Sequence, residues 1–345
     1  MRGEQAMRAL QLRGIGDLVE VELPTPRPGA GEILVRTAAA TICTSDLADI
    51  ARNPFGIRLP RVLGHEGAGV VAAVGEGVRG FRVGDRVAAH PVIPCGRCET
   101  CGRGLGHLCE QMGHLGVDRD GTFAEYFAHP AWRARRIPEG VGFETGALLE
   151  PVAVCLEAVR RGRVGPGEGV LVVGDGPFGI IIARLALRER PRVVVVVGRH
   201  DFRLGQVPEA VRINERSLAN AGRAVLDASG GGVDAALLAA ASPEGAELAL
   251  GALRPRGRLV IFSGLAFPVA LDLFRVHVRE LEILGACNDE GYIDEALGLL
   301  SDARLGLGSL VTHRVPFAEW RRAFALAGGG KDEALKVALV FGEER

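Results

Sequence analysis

Two textures of hydrophobic patterning divide this chain. Up to about residue 150, apolar and polar positions alternate in short runs, at 7–12, 19–23, 32–36, 70–74 and 86–89. A period of two puts successive side chains on opposite faces, so each run predicts a half-buried strand. Pro24, Pro26, Pro28 and Gly29 supply turn punctuation between the early runs. Many short strands joined by tight turns predict a small, closed β-domain. Residues 1–6 precede the first run and are expected to form a disordered extension.

After Pro151 the period changes. Val152, Cys155, Leu156 and Val159 recur at helical spacing and stop at Arg160-Arg161-Gly162. An apolar run at 169–173 then predicts a strand, and 180–190 predicts a helix. Between them stands Gly174-Asp175-Gly176-Pro177-Phe178-Gly179, a G-x-G-x-x-G turn. In such a turn the first glycine bends the chain and the second admits a pyrophosphate close to backbone. The third lets helix pack on strand, and the phosphate rests on the helix N-terminus. Gly174, Gly176, Pro177, Phe178 and Gly179 are therefore candidate dinucleotide-binding residues. The next strand, 192–197, holds five consecutive valines, a mark of burial on both faces. Strands are expected at 233–238, 257–262 and 281–285, with helices at 218–228 and 243–253. That alternation predicts a doubly wound parallel sheet of Rossmann type.

Composition narrows the reading only a little. The chain has 345 residues, which suggests two domains rather than one core. With 41 basic and 42 acidic residues and 5% aromatics, nothing favours nucleic acid or an anionic membrane as partner. No apolar run reaches 18 residues and no signal sequence opens the chain, so a cytoplasmic protein is expected. Of the basic residues only Lys331 and Lys336 are lysines, which weakens any argument from a single arginine. Seven cysteines, an odd number in a reducing compartment, argue for metal ligation over a disulfide framework.

Four of those cysteines fall close together, as Cys95, Cys98, Cys101 and Cys109. Four thiolates on one short loop suit a closed tetrahedral zinc site, structural rather than catalytic. Two disulfides or buried thiols are the alternative. A second group is dispersed: Cys43 in Thr41-Ile42-Cys43-Thr44-Ser45-Asp46, His65 and Glu66 in Leu63-Gly64-His65-Glu66-Gly67-Ala68-Gly69, and Glu150 in Leu149-Glu150-Pro151. Thiolate, imidazole and carboxylate are ligands that catalytic zinc accepts while keeping one position open. Taken singly, each of these residues reads more readily as part of an ordinary core than as a ligand.

Residues 43–46 and 64–71 resemble the catalytic-zinc signature of the medium-chain, zinc-dependent alcohol dehydrogenase family. The Leu149-Glu150-Pro151 segment is similar to its polyol and threonine dehydrogenase branch, which offers glutamate where other branches offer cysteine. The four-cysteine segment matches the family's structural-zinc lobe, and the resemblance runs over nearly the whole chain from Met7. It implies a GroES-like β-barrel catalytic domain at 1–152 and 288–345, and a Rossmann domain at 153–287. It implies two zinc ions per chain, with Cys43, His65 and one of Glu66 and Glu150 holding the catalytic ion. It also implies Ser45 as the hydroxyl that takes the substrate proton, against the plainer reading of a serine satisfying a turn. The family's histidine five residues past the cysteine is replaced by Ala48, so the onward proton path must differ. Arg52, Asn53, Phe55 and Arg58 precede Leu63 as candidate pocket residues.

The expected reaction interconverts a secondary alcohol, of polyol, sugar or amino-cyclitol type, with its ketone by hydride transfer with NAD(P). Zinc lowers the pKa of bound water from about 15.7 to about 7, worth roughly 12 kcal/mol. A positioned side-chain base adds only roughly 3–5 kcal/mol. The metal is the dominant device. For the cofactor, NAD sites place an acid at the end of the second strand, but here that slot is Gly198, followed by Arg199 and His200. The missing acid and an arginine able to pair with a 2′-phosphate favour NADP over NAD. Past Leu204, Gly205 and Pro208 should shorten the helix that the family has there. A homodimer or homotetramer acting on a small molecule is expected. Two other readings stand beside this one: a non-catalytic, zinc-stabilised dinucleotide-binding protein, and a zinc-ribbon interaction module.

Overall fold

The computed structural model describes residues 6–264, 268–329 and 333–342. The expected N-terminal extension therefore lies outside the described residues, except for Ala6, which begins the first strand. The chain divides into two compact units, Met1–Glu150 with Ile293–Arg345, and Pro151–Tyr292.

The first unit is the GroES-like barrel. Its principal sheet runs Ala134–Arg136, Arg86–Ala89, Glu66–Val74, Glu32–Thr41, Lys336–Val340 and Val311–Pro316, and Tyr126–Pro130 also pairs with Glu32–Thr41. A smaller sheet joins Ala6–Gly14 to Asp17–Pro24 and Arg61–Val62. The alternating runs are the cores of these strands, but two strands are longer than the pattern indicates. Glu32–Thr41 continues through Ala38-Ala39-Ala40, a stretch of poor β-propensity that burial on the sheet overrides. Glu66–Val74 starts at Glu66 itself, ahead of the alternating run at 70–74, so Gly67 and Gly69 lie within the strand. They are glycines for room: a Cβ on Gly69 would stand 2.1 Å from the Arg36 carbonyl oxygen of the neighbouring strand. Two apolar clusters hold the unit, one around Leu10, Leu63, Phe123 and Trp320, the other around Ile33, Val71, Val87 and Phe127.

The second unit is a six-stranded, wholly parallel sheet in the order Val211–Asn214, Val193–Gly198, Gly169–Val173, Val233–Leu238, Leu253–Ile261, Glu282–Gly285. Helices Pro177–Arg188, Ala221–Ser229 and Pro243–Ala252 connect its strands. The valine run is buried as its composition requires, Val195, Val196 and Val197 being at most 1% exposed. Each such side chain contributes about 1.5–3 kcal/mol relative to an exposed one. The segment with Gly205 and Pro208 is shortened as expected, to the four-residue helix Asp201–Leu204. Strand Val211–Asn214, too short and polar to announce itself, follows it.

Candidate functional site

Strand pairing builds the first cluster. Glu32–Thr41 and Glu66–Val74 run antiparallel with Thr41 opposite Glu66, so the end of one strand delivers its side chain to the start of the other. Two residues past Thr41, Cys43 caps the helix Thr44–Arg52, and its backbone N–H donates to Asp46 Oδ2 at 2.8 Å. Gly64 turns the chain into His65 at a φ of +93°, where a Cβ would also press on Phe123. The result brings one donor atom each from Cys43, His65 and Glu66 within 4.8 Å of one another.

Charge shows that this set suits a cation. Cys43, Asp46, Glu66 and Glu150 are all buried, and Lys336 is the only buried lysine or arginine among the described residues. Lys336 Nζ donates to Glu66 Oε1, and Thr41 Oγ1 donates to Glu66 Oε2. Burial alone would push the Lys336 ammonium down, but attraction to Glu66 and Cys43 outweighs it and holds the group above its ordinary value. Three carboxyl groups and a thiol stand against one lysine and the His65 imidazole, more anion-forming groups than basic ones, and buried charge left unbalanced is costly. A divalent ion on the three donors would supply what is missing.

The imidazole of His65 is oriented by Asp46, whose Oδ1 lies 3.2 Å from Nδ1. A carboxylate behind a ligand histidine fixes the ring and raises its basicity. Burial lowers the His65 pKa, yet Asp46 and Cys43 together raise it well above the usual value. Ser45 Oγ stands 3.4 Å from Nε2, on the opposite edge of the ring. His114 packs on His65 with ring centroids 5.6 Å apart, and burial first, then His65, pushes its pKa down to about 4.

Not every candidate joins the cluster. Glu150 sits buried in the first turn of helix Leu149–Arg161, near enough to Lys336 to act on its charge. It contributes no donor to the cluster, which among the described residues comprises Cys43, His65 and Glu66 alone. Asn53 acts structurally, closing its own loop. Its amide donates to the Ile57 carbonyl at 2.9 Å and accepts from the Ile57 N–H at 2.7 Å. Phe55 is 64% exposed. Sequence pattern did not single out Asp46, Thr41 or Lys336. For Asp46 the signal was there, three residues past the cap cysteine; for Lys336, nearly 300 residues away, only its rarity could have pointed to it. Asp49, buried one turn from Ser45, was also missed; burial first, then Asp46, raises its carboxyl to about 6.

The cysteine loop is a second, more exposed set. Cys95, Cys98, Cys101 and Cys109 bring their sulfurs within 4.8 Å of one another, and all are free thiols. Cys98 and Cys109 Sγ are 3.8 Å apart. That is about the edge of a tetrahedron with a 2.3 Å zinc–sulfur bond. Backbone N–H groups of Arg97 and Cys98 hold the Cys95 thiol down to about 6, whereas burial, Cys98 and Cys109 push Cys101 up to about 12. Four sulfurs so placed are the donor set of a closed tetrahedral zinc site.

In the second unit the glycine turn has the shape a dinucleotide needs. Gly174, at φ +123°, brings its α-carbon against the Ala239 backbone, and a Cβ on Gly179 would stand 2.0 Å from Gly174 O. A Cβ on Gly176 would meet nothing within 4 Å, so that face is open. Gly176 caps helix Pro177–Arg188, with Pro177 in its first turn. At the end of the next strand Asp175 fills the space beside Gly198, and Arg199 Nε donates to Glu215.

A GroES-like barrel and a Rossmann sheet, each with its own constellation, define the class: a two-unit oxidoreductase of the alcohol dehydrogenase kind. Residues 29–139 match the alcohol dehydrogenase GroES-like domain family. L-threonine 3-dehydrogenase of Pyrococcus abyssi is 32% identical over 91% of this chain and 92% of its own. Among solved structures, an alcohol dehydrogenase of Escherichia coli CFT073 complexed with NADH is 31% identical, with a TM-score of 0.90 over 97% of this chain and 99% of its own. A zinc-binding dehydrogenase of Sinorhizobium meliloti 1021 bound to NADP is 26% identical, with the same TM-score and coverage. The chain belongs to the medium-chain zinc-dependent alcohol dehydrogenase family, and it is an enzyme. The non-catalytic alternative has no support among these relatives. Among the described residues no helix is long and apolar enough to cross a membrane.

Proposed function

We propose that this enzyme interconverts a secondary alcohol, of polyol, sugar or amino-cyclitol type, with its ketone, using two zinc ions per chain. The convergence of Cys43, His65 and Glu66 donor atoms in a buried, anion-rich site carries the proposal. A zinc ion held there would supply a Lewis acid for the substrate oxygen, and a bound nicotinamide would supply the hydride acceptor or donor. Cys43, His65 and Glu66 hold the catalytic ion, with Asp46 fixing the imidazole. A carboxylate oxygen has two lone pairs, so Glu66 can ligate and still accept from Lys336 or Thr41. Glu150 shares the charge of Lys336 and stands as the alternative ligand. Ser45 receives the substrate proton; Ala48 offers no side chain to take it further, so it leaves through water. Cys95, Cys98, Cys101 and Cys109 hold the second ion.

Gly174, Gly176, Pro177, Phe178 and Gly179 would hold the dinucleotide. Gly198 and Arg199 favoured NADP on sequence grounds. The carboxylates of Asp175 and Glu215 beside them weigh against a 2′-phosphate, and we propose NAD as the preferred form, with His200 held in the turn below Asp175. We further propose a cytoplasmic homodimer or homotetramer. Seven free thiols support a reducing compartment. The exposed Leu273, Phe274 and Val278 near the sheet-edge strand Glu282–Gly285 support self-association. The test is a screen of polyols, sugars and amino alcohols at the reduced-nicotinamide absorbance, with and without chelator. Turnover of several secondary alcohols that a chelator abolishes is expected. No turnover, or turnover indifferent to the chelator, overturns the reading.

A further inference from the structure

We propose that Asp175, inside the glycine turn, reads the adenosine ribose of the cofactor and excludes a 2′-phosphate. It replaces the acid that strand Val193–Gly198 lacks at its end. The inference rests on the dinucleotide reading above and sharpens it to one residue.

Three observations carry it. First, Asp175 occupies the space that a side chain at position 198 would need: a Cβ on Gly198 would stand 2.4 Å from Asp175 Cβ and 2.7 Å from its Oδ2. The two positions share one side-chain volume, and here the carboxylate enters it from the glycine turn. Second, that carboxylate is held in place. Oδ2 accepts from Arg199 N at 2.8 Å, from His200 N at 2.7 Å and from His200 Nδ1 at 3.0 Å. Among the described residues no hydrogen bond ends on Oδ1, which leaves an acceptor on the residue just before Gly176, whose face is open. Third, Arg199, the residue that would pair with a 2′-phosphate, is already engaged. It donates to Glu215, and Glu244 and Asp175 add further negative charge around it.

A carboxylate in this position accepts a hydrogen bond from a ribose 2′-hydroxyl, as the strand-end acid does in NAD sites. A 2′-phosphate would set a like charge against Asp175, which costs affinity for the wrong ligand rather than adding any for the right one. The competing account is that Asp175 merely staples the turn at Arg199 and His200. A staple acts on both dinucleotides alike, whereas a ribose reader acts on their ratio.

The experiment is fluorescence titration of the full chain with NADH and with NADPH. The wild type is expected to bind NADH at least tenfold tighter. Asp175→Asn keeps an oxygen for the turn hydrogen bonds and loses the charge; the ratio of the two affinities should fall at least tenfold, chiefly through tighter NADPH binding. The double variant Asp175→Gly with Gly198→Asp returns the acid to the strand and should restore the wild-type ratio, even if Asp175→Ala fails to fold. A wild type preferring NADPH, or an Asn variant that weakens both ligands together and leaves the ratio within twofold, overturns the inference while the dinucleotide site stands. Binding of neither dinucleotide by the folded wild type overturns the underlying reading as well.

Discussion

The first unit contains two clusters of metal-ligating residue types that differ in almost everything but their chemistry. The four cysteines fall within 15 residues of chain, three are only half-buried, and backbone N–H groups supply most of their polar contacts. The Cys43, His65 and Glu66 set is assembled from a helix cap, a turn and a strand start, with a fourth segment supplying Lys336. Around the cysteines little apolar surface is buried, so an ion there would do the work of a core. Around Cys43 the core is complete, with Leu63 and Ile42 buried beside the site, and an ion there would balance charge in a structure that stands without it. A fold that leaned on an ion would keep the ligands close in sequence, and an ion that leaned on the fold would not need them so.

Removing one thiol from each set should break the comparison most sharply. Cys43→Ser is expected to lower turnover by about 10³-fold or more, since the metal is the dominant device. Its thermal midpoint should stay within a few degrees of wild type. Cys101→Ser should leave one zinc per chain by metal analysis and cut the soluble yield several-fold, because structural zinc contributes folding free energy directly. Equal losses of stability in the two variants would mean that the two sets do not differ in kind.

The same contrast explains what could be read from the chain. Cys95 to Cys109, the glycine turn and the valine strand carry their meaning in local spacing, and all were legible. So were the resemblance-bearing segments around Cys43 and His65. What local spacing does not carry depends on strand register: Thr41 meets Glu66 only because Glu32–Thr41 runs past its alternating part, and Lys336 arrives from a strand that pairs with it near the C-terminus. Asp175 lies inside a motif whose spacing is carried by its glycines alone. Its importance appears only when the turn and the end of the neighbouring strand are seen to share one volume.

Lys336 offers the next largest effect. Lys336→Met leaves Glu66 buried without its charge partner, and breaking a buried pair in this way costs about 3–5 kcal/mol. Urea denaturation in the presence of chelator should show that loss, and the double variant with Glu66→Gln should recover more than half of it. Added zinc should also restore stability to Lys336→Met, since removing a cation from an anionic site favours binding another. If zinc protects the wild type and this variant equally, the lysine is not part of the charge balance.

Glu66 and Glu150 separate by geometry, and kinetics should separate them too. Glu66→Gln, inside the cluster, is expected to reduce turnover well over tenfold and to lower zinc content. Glu150→Gln, outside it, should reduce turnover by about tenfold while keeping zinc. The reverse order would identify Glu150 as the resting ligand, and a double variant with wild-type zinc and rate would remove both from the site.

The smallest effect comes from applying one operation to the surroundings of both sets. Asp46→Asn keeps a side chain of the same shape beside His65 Nδ1 but removes its charge. Loss of such a partner typically costs 10–100-fold in metal affinity or activity, and a chelator-competition titration should place this variant in that range. At the cysteine loop the corresponding step is Thr100→Ala, which deletes the 2.9 Å hydrogen bond from Thr100 Oγ1 to Glu110 Oε1. That bond lies at the surface, where water replaces it at little cost, and the backbone N–H groups that face the sulfurs remain. Zinc retention by Thr100→Ala should therefore stay within about twofold of wild type. The buried set depends on side chains that hold its ligands, and the exposed set on backbone that no single substitution removes. A large loss of zinc in Thr100→Ala, or none in Asp46→Asn, would erase that distinction.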